Sequence, residues 1–387
     1  MSGILLLLAE TVRVFDGFAW NNKSIREVSK QLDPTNIKIL STMAELGPRN
    51  LLEVSRLTGI PFTTVYHRIS KIELKSGRVV SLIPNVAKLG MVRLVVLVAS
   101  KPGLEDTVTQ ALRIPNYWRT IERCEGAFTH HSIQTVPVKF LKAFKDYIST
   151  MYAMNLIKSF RIIPTSDSYS IFADFSSYSS ASGEWTFGWD EWLNDLKTRT
   201  PTKAIRDQQG DPMSVAKVDL EIISELERNG RMNFTDIAQR IGASPQAVKY
   251  HYDNRLVPSG ALGQFHFDVA PYPIEFSAYH EFMLEFPDST TMNRFFSLAE
   301  RLFFVDHVSK ALRKTTLLVR TRMISSQVEN MFAFFSEMVN GGVLTSYSAV
   351  RLNMTSRLQQ TISCELFNDA EGWKWDVYNV LLELNKL

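Results

Sequence analysis

The sequence predicts an α+β protein in which a three-helix unit followed by a small βαββαβ domain occurs twice in tandem. Three observations carry that prediction. Asn36–Ile69 and Asp219–Tyr252 align without a gap, 183 positions apart, with apolar residues, glycines and caps in register. Strand-like and helix-like stretches then follow each segment in the same order. Each half closes on a Trp-Asp pair ahead of an amphipathic helix, Trp189-Asp190 and Trp375-Asp376. With 387 residues the chain exceeds what one core fills, roughly 250–300 residues, so several small cores are expected.

The first helix of each unit is read from one apolar stripe at helical spacing, Ile37, Ile39, Leu40 and Met43 in one copy and Leu220, Ile222, Ile223 and Leu226 in the other. Gly47 and Gly230 end it, because a helix C-terminus favours a residue that tolerates the left-handed region. Asn50 and Asn233 open the second helix, each followed three residues on by an acid, Glu53 or Asp236, at capping-box spacing. Gly59 and Gly242 close it, and after a tight turn Val65 and Val248 mark the buried face of a third helix. This is a helix-turn-helix pattern. Lys75 to Pro84 reads as a glycine turn and β-branched strand, a candidate wing, and Pro258 to Phe265 keeps the turn with weaker strand chemistry.

The βαββαβ reading rests on Val92–Ala99, Leu104–Leu112, Trp118–Glu122, Phe128–Thr135, Val138–Ala153 and Ile157–Pro164 in the first half. In the second, Ala278–Phe286, Thr291–Leu302, Val305–Leu312, Leu317–Met323, Val328–Val339 and Leu344–Leu352 repeat the order. That is the ferredoxin-like arrangement. Arg161, Thr165 and Ser166 match Arg351, Thr355 and Ser356 at a spacing of 190, so the second half has gained about seven residues between its two parts. The expected boundaries are an N-terminal extension (1–31), helix-turn-helix units at 32–83 and 214–267, α/β domains at 84–165 and 268–352, a strand, Trp-rich helix and linker at 166–213, and a C-terminal strand and Trp-rich helix at 353–387. Pro201 to Pro212 reads as the linker between halves.

Composition excludes several classes. The 45% hydrophobic and 21% charged fractions are those of a folded globular chain. Ile4–Ala9 is far shorter than the ~20 residues that span a bilayer, and no basic residue precedes it; a short element docked on the first domain is expected, with no membrane partner. Cys124 and Cys364 lie far apart without metal or redox spacing, which fits a reducing, cytoplasmic compartment and small hydrophobic roles. No phosphate loop, zinc-protease helix or nucleophile elbow occurs, so neither catalytic residues nor a metal or cofactor are expected, and the chain is expected not to be an enzyme. His130 and His131 are adjacent on a strand and point to opposite faces, as core histidines would. Trp185, Trp189, Trp192, Trp373 and Trp375 are spaced to dock helices on a sheet.

The order of elements resembles the Lrp/AsnC, or feast/famine, regulators, of archaeal type, whose protomers join a winged helix-turn-helix to a βαββαβ RAM domain. Leu32-Asp33, Gly47, the Gly59 turn, Val65–Ile72, Ser76-Gly77, Lys88-Leu89-Gly90 and Glu122–Gly126 carry the resemblance, which extends from about Leu32 to the end. It departs at Pro61, where a polar cap is usual, and at Ala127-Phe128-Thr129, where an acid commonly follows the glycine. The resemblance implies a sequence-specific transcription regulator with double-stranded DNA as partner and an amino acid as small-molecule effector at the RAM-like domains. It also implies pairing of α/β domains, here as an intrachain pseudo-dimer, with homo-oligomers as a further level of assembly.

Burying Val65, Ile69 and Ile72 turns Thr63, Thr64, His67, Arg68 and Lys71 outward as DNA-binding candidates, with Arg78 on the wing. Ser244, Gln246, Lys249, Tyr250 and His251 are their counterparts. Seven Lys/Arg face four acids over Leu32–Ile83, and six face six over Val215–Gln264, so the first unit is expected to bind DNA better, with Arg68 and Lys71 contributing more than Lys249 and His251. Two alternatives share the architecture. One is an enzyme resembling sirohaem decarboxylases, whose histidine-asparagine-tyrosine motif has no counterpart here; the other is a scaffold protein that has lost DNA contact.

Overall fold

The computed structural model describes residues 32–76, 80–172, 174–179, 184–185, 187–207, 211–269 and 276–387. The N-terminal extension with its apolar run, and Arg78, lie outside the described residues. Among the described residues no helix is long and apolar enough to cross a membrane.

The first trihelical unit is α1 (Pro34–Leu46), α2 (Leu51–Thr58) and α3 (Phe62–Ser76). Asp33 caps α1 by accepting from the Asn36 amide at 2.8 Å, ahead of Pro34 at the first helical position. Asn50 caps α2, and Gly59 ends it in the left-handed region at φ 70°. Ile39, Leu40, Met43, Val54, Val65 and Ile69 close a small core of their own. Strand β1 (Val80–Ile83) leads into β2 (Met91–Ser100), α4 (Glu105–Arg113), β3 (Trp118–Glu125), β4 (His130–Pro137), α5 (Leu141–Ala153) and β5 (Ile157–Thr165). Short strands β6 (Tyr169–Ser170), β7 (Tyr178–Ser179) and β8 (Glu184–Trp185) precede α6 (Trp189–Thr198).

The second trihelical unit is α7 (Lys217–Arg228), α8 (Phe234–Ile241) and α9 (Pro245–His251), the last extended by a π turn at Tyr252–Leu256 and a final turn at Val257–Ser259. Asn233 and Ser244 cap α8 and α9 as the spacing predicts, accepting from the Asp236 and Ala247 amides. Then come β9 (Gln264–Phe267), β10 (Ser277–Glu285), α10 (Ser289–Leu298), β11 (Val305–Lys310), β12 (Thr316–Ile324), α11 (Val328–Asn340), β13 (Ser346–Gln359), β14 (Phe367–Asn368), β15 (Gly372–Trp373) and α12 (Val377–Leu384).

One nine-stranded sheet, β5-β2-β4-β3-β13-β10-β12-β11-β6, runs through both α/β domains. Each contributes a ferredoxin-like order, joined where β3 pairs antiparallel with β13. At the far edge β11 pairs with β6, the continuation of β5, and Thr165 bridges Ala311, so the sheet returns on itself. The two inner faces therefore meet in an interior core that includes Val95, Leu97, Tyr279, Leu318 and Leu352. The outer faces carry the helices. This explains why β2 is buried along nearly its whole length rather than on alternate residues: both of its faces are covered.

The tails are exchanged. From the first half, Trp192 and Leu196 of α6 enter the core under α10 and α11, the indole donating to the Leu298 carbonyl at 3.2 Å. From the second half, Trp373 packs on the first domain and donates to the Leu89 carbonyl at 2.8 Å, beside Trp375 on Tyr117 and Phe144. The presumed linker is also attached, with Ile205 buried and Asp207 paired to Lys310.

The two wing strands meet. Strands β1 and β9 pair antiparallel with each other, Ser81 opposite His266 and Leu82 opposite Phe265, so neither is a free hairpin aimed at a groove. Their alternate residues Val80, Leu82 and Phe267 are apolar and buried, and pairing satisfies the edges that each strand alone would expose. Gly263 makes the entry to this ribbon possible: its φ is +61°, and an added Cβ would lie 2.3 Å from the Ile83 carbonyl oxygen. Gly263→Ala is expected to lower stability by about 2 kcal/mol or more, measured by urea unfolding, because both left-handed backbone and contact with main chain oppose it. An unchanged midpoint would mean that the ribbon is not held as described.

Candidate functional site

A cavity of about 190 Å³ lies between the inner sheet faces, closed by the β1–β9 ribbon. Its walls come from every part of the fold: Ser81 and His266 from the ribbon, Arg93 and Thr135 from the first sheet half, Arg320 and Arg322 from the second, Arg357 from β13 and Glu227 from α7. Strand alternation explains the convergence. Arg320 and Arg322 stand two apart on β12 with Leu318, and Arg93 stands two before Val95 on β2, so all face inward.

Most of these charges are paired. Arg320 donates from Nε to Glu281 Oε2 at 3.0 Å and from a terminal nitrogen to Glu122 Oε1 at 3.4 Å. Burial works against the Arg320 guanidinium, yet Glu122 and Glu281 hold it above its ordinary range. Burial would likewise raise the Glu122 carboxyl, but Arg320 and Arg357, with the His131 hydrogen bond at 3.1 Å, keep it well below. Arg322 bridges Asp268 at 3.3 Å and Asp306 at 3.5 Å, and Arg119 pairs with Glu227.

Arg93 is different. It is half-buried, and its hydrogen bonds reach the hydroxyls of Thr165 at 2.9 Å and Ser309 at 3.3 Å. Burial pulls its guanidinium down to about 10, offset in part by the charge of Glu281. A half-buried guanidinium whose direct hydrogen bonds go to hydroxyls keeps donor capacity for an anion. On the opposite wall the rings of His266 and His307 lie 4.5 Å apart at 39°, each tethered through Nδ1: His266 to the Ser170 hydroxyl at 2.8 Å, His307 to Asp306 at 3.1 Å. Burial, then the charge of His307, drives His266 down to about 4, so it stays neutral at physiological pH.

The DNA-facing candidates are only partly outward. Thr63, His67 and Lys71 are exposed on α3, with Thr64 half-buried. Arg68 is corrected: it turns back to Asp33 at 2.6 Å and to Asn36 at 3.0 Å, clasping the N-terminus of α1. Gln246 and Tyr250 are exposed on α9. Ser244 is spent on the cap, Lys249 pairs with Asp253, and His251 binds Asp219 at 2.7 Å in a cluster with Arg255. These partners lie 35 and 32 residues away from Arg68 and His251, beyond what helical spacing reveals. The two units also clasp each other: Arg49 donates to the Met232 carbonyl at 2.6 Å and lies over the rings of Phe234 and Tyr252, and Arg231 pairs with Glu73 at 2.7 Å.

His130 and His131 do face opposite sides of their strand, one bound to Thr129 and Thr109, the other to Glu122. Three side chains that the sequence reading did not single out, His266, Asp306 and His307, bring their donor atoms within 4.8 Å of one another. They were missed because they lie on two separate strands about forty residues apart.

Comparisons with known proteins follow this geometry. A winged helix-turn-helix DNA-binding family model matches residues 216–254. No curated protein matches the chain. Among solved structures, the siroheme decarboxylase NirDL is similar over 90% of this chain and 98% of its own, at 11% identity and a TM-score of 0.53. The same enzyme with an iron-uroporphyrin III analogue covers equal shares at 12% identity and a TM-score of 0.50. An AsnC family transcriptional regulator from Agrobacterium tumefaciens covers 34% of this chain and 88% of its own, at 18% identity and a TM-score of 0.28. The fold is thus α+β, with a winged helix-turn-helix and a ferredoxin-like sheet. The expectation that the chain is not an enzyme is overturned by the full-length likeness, since the fold it shares end to end serves an enzyme.

Proposed function

We propose that the chain is a DNA-binding transcription regulator of the Lrp/AsnC type, acting in the cytoplasm, in which a small carboxylate-bearing ligand in the arginine-lined cavity sets the disposition of two helix-turn-helix units. The two halves are read as copies that pair within one chain, within the boundaries expected from the sequence. One observation carries this reading: the wall of the cavity is built from the β1–β9 ribbon and Glu227 of α7, elements continuous with both helix-turn-helix units. A ligand there meets the supports of both recognition helices directly. Arg93 offers the guanidinium for a carboxylate, and Glu281 and Asp167, also lining the cavity, suit the ammonium of an amino acid. A thermal-shift screen of the full chain with amino acids and simple carboxylates tests the ligand class.

On the DNA side, Thr63, Thr64, His67 and Lys71 are the groove-facing set of the first unit, with Gln246 and Tyr250 for the second. Lys71→Ala is expected to weaken binding evenly across sequences and to reduce the salt slope by about 1, as loss of one phosphate contact does. Lys249→Ala should cost less, because Asp253 already holds that ammonium. Equal losses in a salt-controlled anisotropy titration would refute the ranking.

A second reading is favoured by the full-length likeness to siroheme decarboxylase NirDL: the same cavity, with its arginines and paired histidines, would act on a carboxylate-rich tetrapyrrole. The cavity is below the roughly 300–1,000 Å³ of sites for drug-sized ligands, so the ribbon would have to move to admit a macrocycle. Carbon dioxide release from sirohaem, with a perturbed absorbance band, would establish this reading in place of effector binding.

A further inference from the structure

We propose that His266, Asp306 and His307 form a site for one divalent transition-metal ion of the zinc class, independent of the ligand assigned to Arg93. Two imidazoles and one carboxylate, with donor atoms within 4.8 Å of one another, are close enough for a single ion to contact all three. The rings arrive from different elements, His266 on the ribbon strand β9 and His307 on β11, and stand 4.5 Å apart. His266 is oriented through Nδ1 by the Ser170 hydroxyl, and His307 Nδ1 lies 3.1 Å from the carboxylate of Asp306, the third donor. A hydrogen bond such as that of Ser170, to one ring nitrogen, fixes tautomer and direction in a histidine ligand.

The donor set selects the ion. Mixed nitrogen and oxygen donors suit zinc, cobalt or iron(II) over calcium or magnesium, which take oxygen almost exclusively. Three protein ligands leave a coordination position open, and these residues line the cavity. Arg322 lies 3.5 Å from Asp306 and balances part of its charge. With an ion in place, β9 is tied to β11, so the ribbon that joins the helix-turn-helix units is clamped to the second sheet half.

The test uses the full-length chain stripped with chelator and titrated with cobalt(II), read by its visible d–d band, and with zinc, read by calorimetry. One equivalent per chain is expected, with a zinc-dependent rise in Tm. His266→Gln and His307→Gln should each lower affinity at least tenfold and remove the band, whereas His280→Gln, at a buried histidine outside the cavity, should leave both unchanged. Circular dichroism of each variant establishes that it folds. Should the wild-type chain give no cobalt band and no zinc heat, or should His266→Gln/His307→Gln keep one equivalent, the site is overturned. DNA and amino-acid binding are measured on the same stripped protein, so their failure is read apart from loss of metal.

Discussion

Arg320→Met is expected to lower the unfolding free energy by about 3–5 kcal/mol, the range seen when one partner of a buried ion pair is removed. The guanidinium of Arg320 is the shared partner of Glu122 and Glu281, and all three are buried. Without it Glu122 retains Arg357 at 3.6 Å, and Glu281 is left with the His131 ring at 4.0 Å and the more distant charge of Arg93. The penalty thus comes chiefly from Glu281, which loses its one direct guanidinium hydrogen bond. Methionine fills much of the same volume, so cavity formation adds little.

The pH dependence follows from the depressed Glu122 carboxyl. A group whose folded value is lowered contributes stability above its unfolded value, near 4.3, and loses it as pH falls through the folded value. In Arg320→Met that contribution is already diminished, so the difference between wild type and variant should narrow as pH falls below about 4. Adding Glu122→Gln and Glu281→Gln to Arg320→Met should recover most of the loss, because the whole charged set is then gone. Urea unfolding of the series at neutral and acid pH checks both statements; a flat difference across pH would contradict them.

Arg93→Met should act in the opposite sense on stability and strongly on binding. Arg93 donates its hydrogen bonds to hydroxyls, and burial lowers its guanidinium despite the nearby charge of Glu281, so its charge costs the folded state more than it returns when no anion is bound. The variant is expected to match or exceed the wild-type Tm in the absence of ligand. Its affinity for a carboxylate ligand should fall by about 2–3 kcal/mol, roughly 30- to 150-fold, the worth of a charge-assisted hydrogen bond. That trade between stability and binding distinguishes a ligand site from a structural ion cluster, where removing the cation would destabilise. Paired Tm and calorimetric measurements decide between them.

Much of the fold was legible because local rules and the repeat agreed. Asn50 and Asn233, and Gly59 and Gly242, fall where capping puts them, and the strands and helices of both βαββαβ stretches come in the expected order with limits shifted by up to seven residues. The cavity was not legible, for a physical reason. On an ordinary antiparallel sheet a polar residue at every second position marks the solvent face, and Arg320 and Arg322 in β12 read that way. Here that face is turned toward the other half of the same sheet, so the polar face is interior. Arg93 gave the clearest hint, a single charge in the apolar run Met91–Ser100.

Long-range pairing hid the rest. The β1–β9 ribbon joins segments about 185 residues apart and places both wing strands along one side of the cavity. The partners of Arg68 and His251 come from preceding helices, so outward geometry on α3 and α9 did not reveal that these two are engaged. Exchange of the Trp-rich tails likewise depends on how the halves meet, with Trp192 and Trp373 each buried in the core of the opposite half.

The central claim is that ligand in the arginine-lined cavity governs the grip of the helix-turn-helix units on DNA. Fluorescence anisotropy of the full chain on double-stranded genomic fragments, across a salt series and with and without the carboxylate ligand found by thermal shift, tests it most directly. The account predicts salt-sensitive affinity that the ligand changes at least tenfold in wild type and leaves unchanged in Arg93→Met. No salt-sensitive affinity for any duplex, or a ligand response that persists in Arg93→Met, would contradict it.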